Sequence, residues 1–494
     1  MERPNYIVDN MGKPVKASYP DGRTLSYIYD DAGNLIRIAD SVLGSITLQY
    51  DLLDRLTKVL CPNGKLLSYA YDSMGNRKRL TYPNGEVIYY NYNPNNWLTE
   101  IIAGSKKTSF EYDKVGRLLR KALPNRLTIT YTYNGAGRLV RLITTNADNS
   151  ILFDFSYKID AVGNYLEVDK NSGGSKKKIR FIYDPLYRLA GVKYPNGDRI
   201  KYKYDPIGNR LSAGATAFSK NSKPLGYLAK ALGNLGILLN KVRYTYDSEN
   251  HLLKADGIEF KYDDNGNLIE KKVSNKHTRY SYDYENRLVK IEYPDGTHSQ
   301  YAYDALGRRI SKRNPNGKAV YYLYDGHNLI QESNDKGQII ANYVYDLGID
   351  HPISMTRGGK TYYYLHDHLG SVIALTDESA KVVAESEYDA WGKIIKEMGD
   401  IENPFRFTGR EWDEENGLYY YRTRYYDPQI GRFISKSLSQ GFITNPQSLN
   451  KYSYAYNNPM SNKDPFGLSP SNASRGKPIQ SADSIALYRK KRFM

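Results

Sequence analysis

Aspartate recurs in this chain at positions regular enough to suggest chemistry. It stands at Asp30, Asp51, Asp72, Asp113, Asp160, Asp184 and Asp205, then at Asp247, Asp263, Asp283, Asp304, Asp325, Asp346 and Asp367. Repeated carboxylates could ligate calcium, but calcium loops alternate their acids as D-x-D-x-D-G, and that spacing is absent. A turn-forming carboxylate that accepts nearby backbone N–H groups accounts for all of them. His366 and His368 flank Asp367, which could begin a zinc site. Such a site needs at least three protein ligands, no third is in view, and a structural role is expected. Cys61 is the single cysteine, so no intrachain disulfide can form, and no paired histidine points to a thiolate nucleophile. No phosphate-binding loop, nucleophile elbow or dinucleotide fingerprint is present. Neither a cofactor nor a metal is expected.

The elements that carry these aspartates form a repeat. Its unit is Y-x-Y-D-x-x-G-N/R-L, as in Tyr27-Ile28-Tyr29-Asp30-Asp31-Ala32-Gly33-Asn34-Leu35, and most successive units lie 20 or 21 residues apart. In Y-x-Y both rings project from one face of a strand. Aspartate followed by x-x-Gly supplies a turn, and a second alternating strand follows. Pro-Asn/Asp-Gly at Pro20-Asp21-Gly22, Pro62-Asn63-Gly64, Pro83-Asn84-Gly85, Pro195-Asn196-Gly197 and Pro294-Asp295-Gly296 marks a second turn. Each period therefore predicts a β-hairpin. Stacked hairpins give an all-β fold of roughly 36 strands, a sheet about 170 Å wide at ~4.8 Å per strand. Such a sheet must curl; wound once it would make a tube about 50 Å across.

The period breaks at about 213–242, where a degenerate unit ending in Gly233-Asn234-Leu235 or an apolar helical insertion is expected. Asp9-Asn10-Met11-Gly12 lies 21 residues before Asp30, so the chain begins inside a repeat. A longer parent gene or a partner covering that edge is the expectation.

Composition agrees with stacked hairpins. Tyrosine occurs 49 times against 12 phenylalanines, glycine 40 times, and mean hydropathy is −0.65. The net charge of +16 is spread through the repeats and comes without any nucleic-acid-binding motif, so no nucleic-acid partner is expected. No run of about 18 apolar residues could span a membrane, and the first residues lack the layout of a signal peptide.

From Tyr362 the motifs crowd together: Tyr364-Leu365-His366-Asp367-His368-Leu369-Gly370-Ser371, Tyr388-Asp389-Ala390-Trp391-Gly392, Phe405-Arg406-Phe407-Thr408-Gly409-Arg410, Tyr419-Tyr420-Tyr421-Arg422-Thr423-Arg424-Tyr425-Tyr426-Asp427-Pro428, Gly431-Arg432-Phe433-Ile434-Ser435, Asn457-Asn458-Pro459 and Asp464-Pro465-Phe466-Gly467-Leu468. This string closely resembles the RHS repeat-associated core, and with the repeats upstream the chain resembles an RHS/YD-repeat protein of the toxin-shell type, more distantly a teneurin. The division implied is repeats at 1–361, core at 362–468 and a short basic, disordered tail at 469–494. The resemblance implies a hollow β-shell with the core turned inward as a plug. It also implies an intramolecular aspartyl protease that cuts after D-P-x-G-L, releasing a variable effector.

Carried over by position, the scissile bond is Leu468–Ser469, Asp464 is one catalytic aspartate and Arg424 assists. The second aspartate of the family falls at Ser437, and its following proline at Leu438. Two carboxylates sharing a proton are the basis of aspartic proteolysis, and a serine hydroxyl is no base at neutral pH. Efficient cleavage is therefore not expected, and nothing in the spacing makes Asp427 a substitute.

The leading expectation is a structural shell or encapsulation component of a polymorphic-toxin system, without an effector in this chain. Its partners would be an N-terminal shell or plug component and an effector toxin. The alternatives are a cell-surface adhesion module that binds glycans or proteins, and a self-cleaving aspartyl protease core. Family resemblance implies a secreted or cell-surface location.

Overall fold

The computed structural model describes residues 4–216 and 241–472. Most of the segment that breaks the period, and the tail beyond residue 472, lie outside the described residues. No helix among the described residues is long and apolar enough to cross a membrane.

The first complete hairpin explains the repeat. Strands Thr24–Tyr29 and Leu35–Asp40 pair antiparallel around the Asp30 turn. Asp30 N–H donates to the Asn34 carbonyl and Gly33 N–H to the Asp30 carbonyl, each at 2.9 Å. The Asp30 carboxylate accepts Asn34 N–H at 2.7 Å. Gly33 sits at φ +83°, a conformation that favours glycine. Most units without that glycine put Asp or Asn there at positive φ, as at Asp54, Asn96, Asn250 and Asn286, the residue types that tolerate it best; the Asp184 unit puts Tyr187 there.

The register slips by one residue at Tyr29, which faces Leu35. Beyond several such bulges the second tyrosine of Y-x-Y reaches back fifteen residues. Its hydroxyl donates to a backbone carbonyl: Tyr29 to Pro14 at 3.0 Å, Tyr71 to Leu56 at 2.8 Å, Tyr92 to Arg77 at 3.0 Å and Tyr303 to Leu288 at 2.7 Å. The first tyrosine, as in Tyr27, Tyr69 and Tyr90, is buried. The N/R alternation at the place immediately before the next strand is also physical. Asn76 bonds the Asp72 carboxylate at 3.0 Å and Asn96 of the next turn at 2.9 Å. Arg55 pairs with Asp51 at 2.7 Å and lies 5.0 Å from the centroid of the Tyr71 ring.

Among the described residues, thirty-six strands follow one another in a single antiparallel sheet that ends with Ile394–Met398. Its first strand, Asn5–Val8, pairs with Pro14–Ser18 and not with the last, so the sheet is open. Arg210–Thr216 pairs directly with Lys241–Tyr246, Ser212 opposite Arg243. The ladder therefore passes across the break in the period.

The sheet rolls over itself. Tyr69, on the seventh strand, donates to Asp325 at the end of the twenty-ninth at 3.0 Å. Tyr82 donates to the Tyr343 carbonyl at 2.7 Å, Lys106 to Thr361, and Asn125 to Thr376 at 3.0 Å. About 22 strands thus complete a turn, roughly 105 Å round at ~4.8 Å per strand. The sheet therefore overlaps itself instead of winding once. The reason lies in strands such as Ala319–Asp325, Lys360–His366 and Val372–Thr376, whose residues are nearly all buried, on both faces. Strands of that kind need cover on two sides. The early repeats cover one side, and their own outward residues stay exposed, as in the alternating pattern of Val87–Tyr92. The C-terminal residues cover the other, with Phe405 against Tyr343, Tyr345 and Tyr364 at 5.0–6.1 Å between ring centroids. Buried hydrophobic residues from Ala17 to Met460 join one cluster. The motifs crowd from Tyr362, whereas the chain leaves the sheet only after Met398.

Candidate functional site

Inside the roll the chain forms a small sheet from Glu411–Asp413, Leu418–Tyr421, Arg424–Asp427 and Arg432–Phe433. Tyr419, Tyr420, Tyr421 and Tyr426 are fully buried there. Buried ion pairs anchor it to the wall: Arg309 to Glu411 at 2.8 Å and to Asp413 at 2.5 Å, and Lys312 to Asp413 at 2.9 Å. A two-residue turn, with Tyr421 opposite Arg424 and Arg422 at φ +60°, presents three consecutive side chains to the D-P-F-G-L segment.

Arg422 donates to the Pro465 carbonyl and to the His327 carbonyl at 3.2 Å. Asp350 holds it at 2.6 and 2.9 Å and also pairs with Arg410. The Thr423 hydroxyl lies 2.7 Å from the Phe466 carbonyl and 2.8 Å from that of Gly467. Arg424 donates to the Gly467 carbonyl at 2.6 Å, to the Lys451 carbonyl at 2.7 Å and to Asp464 at 3.3 Å, with its guanidinium 3.5 Å from the Phe433 ring centroid. Burial draws the Arg424 pKa down to about 10 against the opposing pull of Asp464, so the guanidinium stays charged at neutral pH. Gly467 has φ +65°, and a Cβ there would stand 2.5 Å from the Tyr421 carbonyl oxygen. The motif needs glycine because the chain runs against the turn.

Asp464 is 1% exposed. Its Oδ1 accepts Leu468 N–H at 3.0 Å and Ser469 N–H at 3.2 Å. From the other side the Ser437 hydroxyl donates to the Leu468 carbonyl at 2.9 Å and accepts Ser439 N–H at 3.1 Å. The Leu468–Ser469 peptide is thus held at its carbonyl by a hydroxyl and at its nitrogen by a carboxylate. All five residues singled out in the sequence, Arg424, Ser437, Asp464, Leu468 and Ser469, meet at this one point. Asp427 does not join them: its carboxylate takes Lys271 at 3.3 Å and Gln429 N–H at 2.8 Å. Sequence reasoning missed Arg422, Thr423 and the Asp350–Arg410 support. The first two were visible as neighbours of Arg424 in the motif, the last two only once the fold joined them.

The other candidates lie elsewhere. His366 stacks on His351 with ring centroids 4.1 Å apart, while His368 bonds the Met460 carbonyl at 3.1 Å and packs on Tyr157 and Tyr165. Asp367 accepts Leu369 and Ser371 N–H at 2.9 and 2.8 Å, the ordinary turn role. Among the described residues no three His, Cys, Asp or Glu side chains are arranged to hold a metal. Cys61 is buried, which raises its thiol pKa.

The profile of the Teneurin YD-shell family matches residues 5–160 and 127–460. The tRNA3(Ser)-specific nuclease WapA of Bacillus spizizenii is 28% identical over 334 residues, covering 65% of this chain and 11% of its own length. Double-stranded DNA deaminase toxin A of Burkholderia cenocepacia is 27% identical over 347 residues, covering 64% of this chain and 22% of its own. The chain therefore spans about a tenth to a fifth of the length of these relatives. Among solved structures, that of TcdB2-TccC3 superposes with a TM-score of 0.73 at 18% identity, over 94% of this chain and 28% of that one, a likeness of fold.

Proposed function

The chain belongs to the teneurin YD-shell family, and on that footing we propose that it is the closing segment of a toxin-type shell, the stretch of wall that carries the plug and the exit peptide. The observation that carries this reading is the two-sided hold on Leu468–Ser469 by Ser437 and Asp464, inside a roll of the sheet. A surface for adhesion has no use for such a hold, whereas a shell that must present the start of a following segment does. The partners would be further wall hairpins pairing with the free edge of Asn5–Val8 and an effector beyond the exit peptide. Such a particle would act outside the cell that makes it.

In this reading the exit bond is retained. Hydrolysis would need water to attack the Leu468 carbonyl, a carboxylate to take the water proton, and an acid to protonate the departing Ser469 amine. Asp464 can take one proton. Ser437 polarises the carbonyl through its hydrogen bond but neither takes up nor releases a proton at neutral pH, so the paired-carboxylate cycle is incomplete.

The test is the intact mass, under denaturing conditions, of the full chain and of its Ser437→Asp variant. The wild type is expected at full mass. Ser437→Asp is expected to yield a product ending at Leu468, lost again in Ser437→Asp/Asp464→Asn. A Ser437→Asp variant that folds and stays whole would sink the exit-site reading and leave adhesion as the better account.

A further inference from the structure

A cavity opens where three parts of the molecule meet, beside the segment that carries Asp464. It measures about 140 Å³ and is lined by Lys121, Tyr131 and Thr144 of the outer wrap with three aliphatic side chains among them, by His351, His366, Asp367 and His368 of the inner wrap, and by Lys463 of the C-terminal segment. For scale, an apolar cavity of about 150 Å³ admits benzene. In this one, donors stand among aliphatic side chains and the Asp367 carboxylate. Lys121 is 1% exposed and His366 is 7% exposed, and the His366 Nε2 has no hydrogen-bond partner. Among the described residues neither the Lys121 nor the Lys463 ammonium has a hydrogen-bond acceptor.

The nearby carboxylates do not supply one. Asp346 is taken by His351 at 2.8 Å and Gly348 N–H at 2.8 Å. Asp350 is taken by Arg410 and Arg422, and Asp367 Oδ1 by its own turn. These acids offset the charge of the lysines but leave their N–H groups unmatched. Burial lowers the pKa of both lysines and of His366. A buried ammonium without an acceptor is costly, and stripping water from it without replacement is worse.

We propose that this cavity is a binding site for a tetrahedral oxyanion such as phosphate or sulfate, held between Lys121, Lys463 and the His366 imidazole. An anion with oxygens on four sides meets donors arriving from three directions, as a planar carboxylate does not. Because its donors belong to the outer wrap, the inner wrap and the C-terminal segment, the bound ion ties all three together.

Inorganic phosphate is the probe, titrated calorimetrically into the full chain at pH 7, with chloride at matched ionic strength as the reference. Saturable one-to-one binding is expected, with a melting temperature raised by about 2 °C or more. Lys121→Met and Lys463→Met are each expected to abolish the phosphate response. Lys121→Met should also melt no lower than the wild type in phosphate-free buffer, because it removes an unmatched buried cation. If Lys121→Met fails to fold, the part-exposed Lys463→Met decides. A wild type indifferent to phosphate beyond the chloride reference means a water-filled cavity and overturns the proposal, as does an undiminished response in Lys463→Met.

Discussion

Ser437 and Asp464 reach the same peptide from opposite sides, and the chemistry available there turns on a hydroxyl in place of a carboxyl group. The sequence already singled Ser437 out, through its resemblance to the RHS core, in which that position is expected to hold an aspartate. The support around it was not legible there. Asp350 and Arg410 belong to stretches 60 residues apart that bear no motif relation, and only folding brings them to Arg422. A second residue-scale consequence concerns Asp389, in the last YD turn of the sheet. Burial raises its carboxyl pKa from 3.8 to about 6, against N–H bonds from Lys393 and Trp391 that pull it back. The folded protein thus binds this proton more tightly than the unfolded chain. Its contribution to stability is fully present below about pH 4 and is lost as pH rises through 6. Asp389→Asn keeps an oxygen for both N–H groups and removes the charge. Urea unfolding should find it more stable than wild type by on the order of 2 kcal/mol at pH 7 and level with it near pH 4. A variant weaker than wild type at pH 7 would mean that the ionised carboxylate has a favourable role.

At the scale of the hairpin, the Y-x-Y-D-x-x-G-N/R-L unit reads almost letter by letter into contacts. Period two put both rings on one face in the sequence reading, but the rings do different work. The first fills the inward face. The second bends past the bulge and satisfies a carbonyl fifteen residues back, which alternation alone could not reveal because it depends on the one-residue slip. Tyr71→Phe removes the hydroxyl and leaves the Leu56 carbonyl without that partner. Chemical denaturation should show a loss of about 1 kcal/mol, and the same change at Tyr92 or Tyr303 should cost a similar amount. Equal stability of all three phenylalanine variants with wild type would mean that water replaces the hydroxyl at no cost. The unit also tells why Arg and Asn alternate after the turn: one stacks on the next tyrosine, the other bonds the next turn, and each links neighbouring hairpins.

Over the whole molecule, what the sequence concealed is the overlap. Tyr69, Arg77 and Asp325 occupy ordinary repeat positions, and nothing local marks the first two as partners of the third some 250 residues on. Arg77 meets Asp325 at 2.6 Å, buried between the two wraps, with the Tyr69 hydroxyl on the same carboxylate. Asp325→Ala strands the Arg77 guanidinium and should cost about 3 kcal/mol or more, read by urea unfolding, while Arg77→Met/Asp325→Leu should recover most of the loss. An Asp325→Ala variant as stable as wild type would show that the wraps do not depend on this pair. The strand count per turn carries a consequence for how such genes can change. Duplicating or deleting one hairpin would rotate every later strand by about one-eleventh of a turn and mismatch every contact between wraps at once. Lengthening a connection adds no strand. Across the break in the period the ladder keeps its pairing, Ser212 facing Arg243. Inheritable variation in this lineage should therefore accumulate as loops of unequal length between hairpins, with the number of hairpins from one wrap to the next held fixed.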